Sequence, residues 1–180
     1  PFGERWLIVG KTGCGKTTIA ELLMKFYTLD QGEILINNIP IERIPNNVLR
    51  KEFSYVPQDV FLFSNTVEEN IAFSGKASEA EIEKASIRAQ VYNEIITFKE
   101  KFKTIIGERG VTLSGGQKQR ISIARAFVQS TPFYLFDDCL SAVDVETEKN
   151  LIASLNDTST QNTSIIITHR IFNQLQFDKA

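Results

Sequence analysis

"RWLIVGKTGCGKTTIAELLMKFY", residues 5–27, decides the fold. The apolar run "WLIV" ends at Gly10 and reads as a short buried strand, with Trp6 in the core. The stretch "TTIAELLMKFY" places Ile19, Leu22, Leu23 and Phe26 at helical spacing, so a helix follows. Between the two, Gly10–Thr17 fits G-x-x-x-x-G-K-[ST], in the strand–turn–helix setting that gives this pattern its meaning. Glycines let backbone N–H groups turn inward around an anion, and the helix N-terminus adds partial positive charge. The ligand this predicts is the triphosphate of a nucleotide, held by Gly10, Lys11, Thr12, Gly13, Cys14, Gly15, Lys16, Thr17 and Thr18. Lys16 is placed to reach the β- and γ-phosphates, and the Thr17 hydroxyl to bind Mg²⁺. A glycine-rich turn with no ligand is the bland reading, and the flanking strand and helix argue against it.

Further along, "FYLFDD" is a fully apolar strand ending in two carboxylates, Asp137 and Asp138. After a phosphate-binding loop, the strand-end acid is expected to hold Mg²⁺, so Asp137 joins Thr17 as a metal ligand. The alternative is a helix cap or turn acid, which the apolar run in front disfavours. Asp138 is placed to orient or deprotonate an attacking water. Most enzymes of this kind carry Glu there. Asp is one methylene shorter, so its oxygens sit ~1 Å from the Glu position, a misplacement that costs up to ~10²-fold in rate.

The remaining pattern alternates strands and helices. "DQGEILINN" reads as a turn and a strand, "FSYVPQ" and "TSIIITH" as strands. Residues 66–97 are helical in character, with a capping box at Ser78–Glu81. "LSGGQ" is a second glycine-rich turn before the helical "QKQRISIARAFVQS", which Pro132 stops, and "DVETEKNLIASL" is a helix capped by Asp144. The fold class is α/β, with a mostly parallel sheet flanked by helices, an inserted helical lobe and a small antiparallel β part. One domain is expected over 1–180, with a nucleotide-binding core at 1–60 and 126–180 and a helical lobe at 61–125 that includes the "LSGGQ" turn.

Composition narrows the class. The chain has 180 residues, 42% of them hydrophobic, which suffices for one sizeable core. A net charge of −2 without a basic block gives no nucleic-acid surface. Cys14 and Cys139 lack disulfide or metal spacing and read as free thiols of a reducing compartment. No apolar run approaches the ~20 residues needed to span a bilayer, and no signal peptide is visible. The abrupt start at "PFGERWLIVG" is that of a piece of a longer polypeptide.

Taken together, "GKTGCGKT", "YVPQD", "LSGGQKQRISIARA", "DD" with "SAVD", and "ITHR" occur in an order that resembles the nucleotide-binding domain of an ABC transporter. "QDVFLFSNTVEENIAF" and "IGERGVTLSGGQ" are similar to the exporter type. The resemblance implies a P-loop NTPase fold that hydrolyses ATP with Mg²⁺ at the cytoplasmic face of a membrane. It implies two partners, a second nucleotide-binding domain and a transmembrane domain, with each ATP between one chain's P-loop and the other's signature. Ser114, Gly115, Gly116 and Gln117 would then cap the partner's ATP, while Ser114 also reads as the N-cap of its own helix. Gln58 would sense Mg²⁺ and γ-phosphate as both metal ligand and catalytic residue. His169, the only histidine, would contact γ-phosphate, and Asp144 would lie at the dimer seam. The family's adenine-stacking aromatic falls on a strand ahead of Pro1. Asp138 departs from the family's Glu, while "LSGGQ" is intact; this pairing is expected of the slow ATP site in a heterodimer. The rivals are an ATP-gated module with little hydrolysis, a soluble family member acting on DNA or ribosomes, and a P-loop kinase, which would lack "LSGGQ".

Overall fold

The structure, a computed structural model, describes residues 3–73, 75–107, 110–157, 162–172 and 174–180. Its main sheet is made of four parallel strands, β1 (Arg5–Val9), β4 (Phe53–Val56), β7 (Phe133–Asp137) and β8 (Thr163–Thr168), in the order β1-β8-β7-β4. The two central strands are β-branched or aromatic almost throughout, the composition of strands covered on both faces. Alternation along β7 feeds two cores. Tyr134 and Phe136 pack with Leu7, Val56 and Ile166, while Leu135 packs with Phe53 and Ile167 on the opposite face.

Helices cover both faces. Ala20 and Met24, on and just after α1 (Lys16–Leu23), join Leu49 of α2 (Asn46–Leu49) on the Leu135 face. The Phe136 face is covered by α6 (Gly115–Gln129) and α7 (Val145–Asp157). Two short antiparallel pairs complete the sheets. β2 (Leu35–Ile36) and β3 (Ile39–Pro40) form a hairpin turned by Asn37 and Asn38, with φ of 50° and 63°. Asparagine tolerates this left-handed conformation best after glycine. β5 (Asn65–Thr66) pairs with β6 (Ile105–Ile106), so the segment between them leaves and returns at one point. That segment carries α3 (Val67–Ile71), α4 (Glu79–Arg88) and α5 (Tyr92–Ile95). Capping boxes start α3, α4 and α6, at Thr66/Glu69, Ser78/Glu81 and Ser114/Gln117. α3 and α4 both pack on α6, whose far end reaches β4.

Two sequence expectations need correction. Trp6 is not in the core. It is 36% exposed, its Nε1 donates to Glu4, and the Lys179 ammonium lies over its ring. The reason is alternation at the sheet edge: Arg5 and Leu7 are the inward residues of β1, and Trp6 faces the other way. The buried stripe of the first helix is Ala20 with Met24, not Ile19 with Phe26, which are 41% and 49% exposed. Phe26 lies past the helix end, where its ring carries the Arg50 guanidinium.

The central position of β7 makes its core residues costly to truncate. Leu135 is fully buried. Leu135→Ala is expected to lower stability by ~2–5 kcal/mol, read as a shifted urea midpoint with an unchanged slope.

Candidate nucleotide site

The strand register builds the site. Val9 pairs with Thr168, and Asp137 with Ile167, so β1, β8 and β7 end in one row. The loops that follow them converge on a cleft of about 250 Å³, lined by Thr12, Gly13, Gly15, Lys16, Thr17, Thr18, Gln58, Asp138 and His169. Residues from four separate segments of the chain therefore meet there.

Gly13 and Gly15 have φ of 82° and 91°, left-handed values that a side chain would strain. Gly15 is also the N-cap of α1, so the first amides of the helix face the cleft end. Lys16 folds over the loop, its Nζ donating to the carbonyls of Gly10 and Lys11 at 2.7 and 2.9 Å. Cys14 is exposed on the same loop, its Sγ 3.9 Å from that ammonium.

Asp137 lies beneath this loop and is 1% exposed. Burial pushes its carboxyl above the usual value, as does the neighbouring charge of Asp138; the Thr17 hydroxyl and Lys16 act in the opposite sense. Its Oδ2 is buried and has no hydrogen-bond partner among the described residues. A buried, unpartnered carboxylate oxygen beside a threonine hydroxyl is the donor set that a hard divalent cation takes. Thr17 and Asp137 therefore fit Mg²⁺.

Asp138 has φ of 48°. Its amide donates to Ile167 O at 2.9 Å, and its carbonyl accepts from Ser141 Oγ at 2.9 Å. Held this way, its Oδ1 sits 2.9 Å from Nδ1 of His169. Cys139, next along, is fully buried, and burial with the nearby Asp138 charge pushes its thiol up to about 12, which leaves it inert.

The signature is elsewhere. Gly115 and Gly116 form the first turn of α6 rather than a turn ahead of it, and Ser114 is its N-cap, accepting from Gln117 N at 3.2 Å. Ser114 and Gly115 are exposed, and neither they, Gly116 nor Gln117 line the cleft. A Cβ on Gly116 would lie 2.7 Å from the Ala142 carbonyl, so glycine is required where α6 meets the 138–144 strap. Asp144 caps α7, its Oδ1 accepting from the amides of Glu146 and Thr147 at 3.1 and 3.0 Å, and these bonds hold its carboxyl below the usual range. Glu108 and Arg109 of "IGERGVTLSGGQ" lie outside the described residues.

The ABC transporter family model matches residues 1–141. The chain belongs to the ABC transporter family. It is 41% identical over 180 residues to ABC transporter B family member 6 of Dictyostelium discoideum, covering 99% of this chain and 26% of that protein. It is 44% identical over 175 residues to the ATP-dependent lipid A-core flippase of Aliivibrio fischeri, covering 95% of this chain and 30% of that one. The solved structure of a bacterial Atm1-family ABC exporter with ATP bound superposes with a TM-score of 0.89 at 40% identity, over 93% of this chain and 30% of that one. The chain thus spans less than a third of the length of these relatives. It has the ABC P-loop fold, and its similarities are to exporter-type members.

Sequence reasoning missed the groups that hold the site together. Ser141, Gln119, Glu148 and Arg170 contact the backbone or the neighbours of Asp138 and His169. One of them carries a visible signal: Glu148 falls three residues before Leu151 in an apolar helical stripe.

Asp137 gives a prediction with a definite sign. A carboxyl whose folded value is raised costs nothing while protonated, and the cost grows as pH rises through the folded value. Asp137→Asn is expected to raise the nucleotide-free melting temperature at pH 7.5 by ~2–4 °C, about 1 kcal/mol at this chain length. The gap to the parent protein should narrow as pH is lowered toward ~4. Stabilisation by Mg²⁺–ATP, read in the same melts, should be lost.

Proposed function

We propose that this chain binds Mg²⁺–ATP in the cleft and hydrolyses it to drive export across a membrane, working at the cytoplasmic face with a transmembrane domain of the same transporter. The observation that carries the reading is the meeting of the P-loop, Gln58, Asp138 and His169 in one cleft, with the exposed signature turned away from it. Gly10 to Thr18 bind and orient the triphosphate, with Lys16 exchanging its loop carbonyls for phosphate oxygens. Thr17, Asp137 and Gln58 hold Mg²⁺, which neutralises charge on the phosphates when bound. Asp138 orients the water, and His169 contacts the γ-phosphate. Ser114, Gly115, Gly116 and Gln117 sit at the N-terminus of α6 and act on ATP bound by a second nucleotide-binding domain. Asp144 lies at the seam between the two.

The lobe at 61–125 and the core at 1–60 and 126–180 are the two bodies of this domain. Packing of α3 and α4 on α6 supports the lobe. The exposed ring of Phe63 stacks on Phe73 and meets Phe61 edge to face there, with Arg125 over Phe73, and the three offer the apolar face on which a membrane domain would rest.

We also propose that the cleft is the slower site of a heterodimer. Asp138 is shorter than Glu, and its Oδ1 is engaged by His169 at 2.9 Å, which leaves it poorly placed to hold a water. Asp138→Glu tests this by phosphate release from Mg²⁺–ATP. Turnover is expected to rise by up to ~10²-fold with little change in KM. Turnover that does not rise removes the short-carboxylate account. No release from either form favours an ATP-gated module instead.

A further inference from the structure

The buried stripe of α7 is Glu148, Leu151, Ile152 and Leu155, the i, i+3, i+4, i+7 spacing of a core-facing helix. Three members are aliphatic, and the first is a carboxylate whose side chain is 11% exposed. A charge on such a stripe is costly unless a cation meets it. Arg170 does so, its Nη1 3.0 Å from Glu148 Oε2. The Arg170 side chain is 49% exposed, and its guanidinium also lies 5.2 Å over the ring of Phe172, itself buried.

Arg170 follows His169 directly. Its amide donates to Thr168 Oγ1 at 3.1 Å, a turn at the end of β8. From that turn His169 reaches Asp138 on the 138–144 strap, and Arg170 reaches Glu148 on the helix that the strap leads into. The His169 side chain is 39% exposed, and its hydrogen bond among the described residues is the one to Asp138. Packing does not fix such a ring. Its place depends on the backbone that carries it.

We infer that Glu148 and Arg170 are a positioning pair for His169. The pair anchors the chain just past β8 to α7, so that the imidazole stays at the cleft while the strap carries Asp138 toward it. Neither side chain lines the cleft. The inference rests on the proposed action of His169 on the γ-phosphate.

The test is a set of variants in the full-length protein, with kcat and KM for ATP referred to folded protein. Glu148→Gln keeps the shape and removes the charge. Glu148→Gln and Arg170→Gln are each expected to lower kcat by ~10-fold. KM for ATP should change by less than about twofold, because the interaction they weaken is made in the transition state. The double variant should fall no further than either single, and Arg170→Lys should recover part of the loss. In a His169→Ala background, Glu148→Gln should have no further effect on kcat. An equal fall in both backgrounds, or no fall in the parent, overturns the inference. If His169→Ala itself leaves kcat unchanged, the reading of His169 is what fails, and that arm separates the two.

Discussion

The parallel register of β1, β8 and β7 is the constraint on which the site depends. Three strands from distant parts of the chain end level, at Val9, Thr168 and Asp137. Each is followed at once by a group with chemistry: the glycine loop, His169, and Asp138. Parallel strands with helical crossovers gather such loops at the carboxyl edge of the sheet, where ligands of open α/β folds bind. Sliding β7 by one residue against β8 would turn Asp137 from beneath Thr17 to the other face and move Phe136 out of its core. The apolar packing that sets the register, Phe136 and Leu135 on opposite faces, is thereby also what aims the carboxylates.

What could be read in the sequence divides along physical lines. The P-loop, the acid-ended strand and the capping boxes are local, because their chemistry needs particular residues at fixed short spacings. Strand alternation and helix order gave the α/β architecture for the same reason. Trp6 and Phe26 were misread because periodicity says which residues share a face, not which face is covered. β1 lies at a sheet edge and α1 ends at Leu23, neither of which is a local property. The start of α6 was legible in Ser114 as an N-cap, but the glycines after it also read as a turn. Gly115 and Gly116 look like a loop, yet the capping box of Ser114 and Gln117 starts the helix ahead of them. Helix propensity lost there to capping and to the close approach of Ala142.

Two carboxylates on buried positions show how differently this fold treats the same problem. Glu148 is met by Arg170 and stacked against Phe172 through it. Asp137 is left with an unpartnered oxygen and a raised proton affinity. The first solution closes an internal account between α7 and the chain after β8. The second keeps a strained group at the foot of the P-loop, and strain of this kind persists where surrounding structure enforces it for use. The sequence marks Asp137, at the end of an apolar strand, while Glu148 lies between Thr147 and Lys149 and is marked only by the helical face it shares with Leu151.

The strap at 138–144 joins these features. It starts at left-handed Asp138, is tied back by Ser141, meets the α6 backbone at Gly116, and ends at the cap of α7. One segment thus touches the carboxylate of the chain's own cleft and the helix that bears the outward-facing signature. Because Gly116 leaves no side chain between α6 and the Ala142 carbonyl, a displacement of the signature helix cannot be absorbed locally and must move the strap or open a gap. The chain therefore has a short, stiff backbone route from the start of α6 to Asp138.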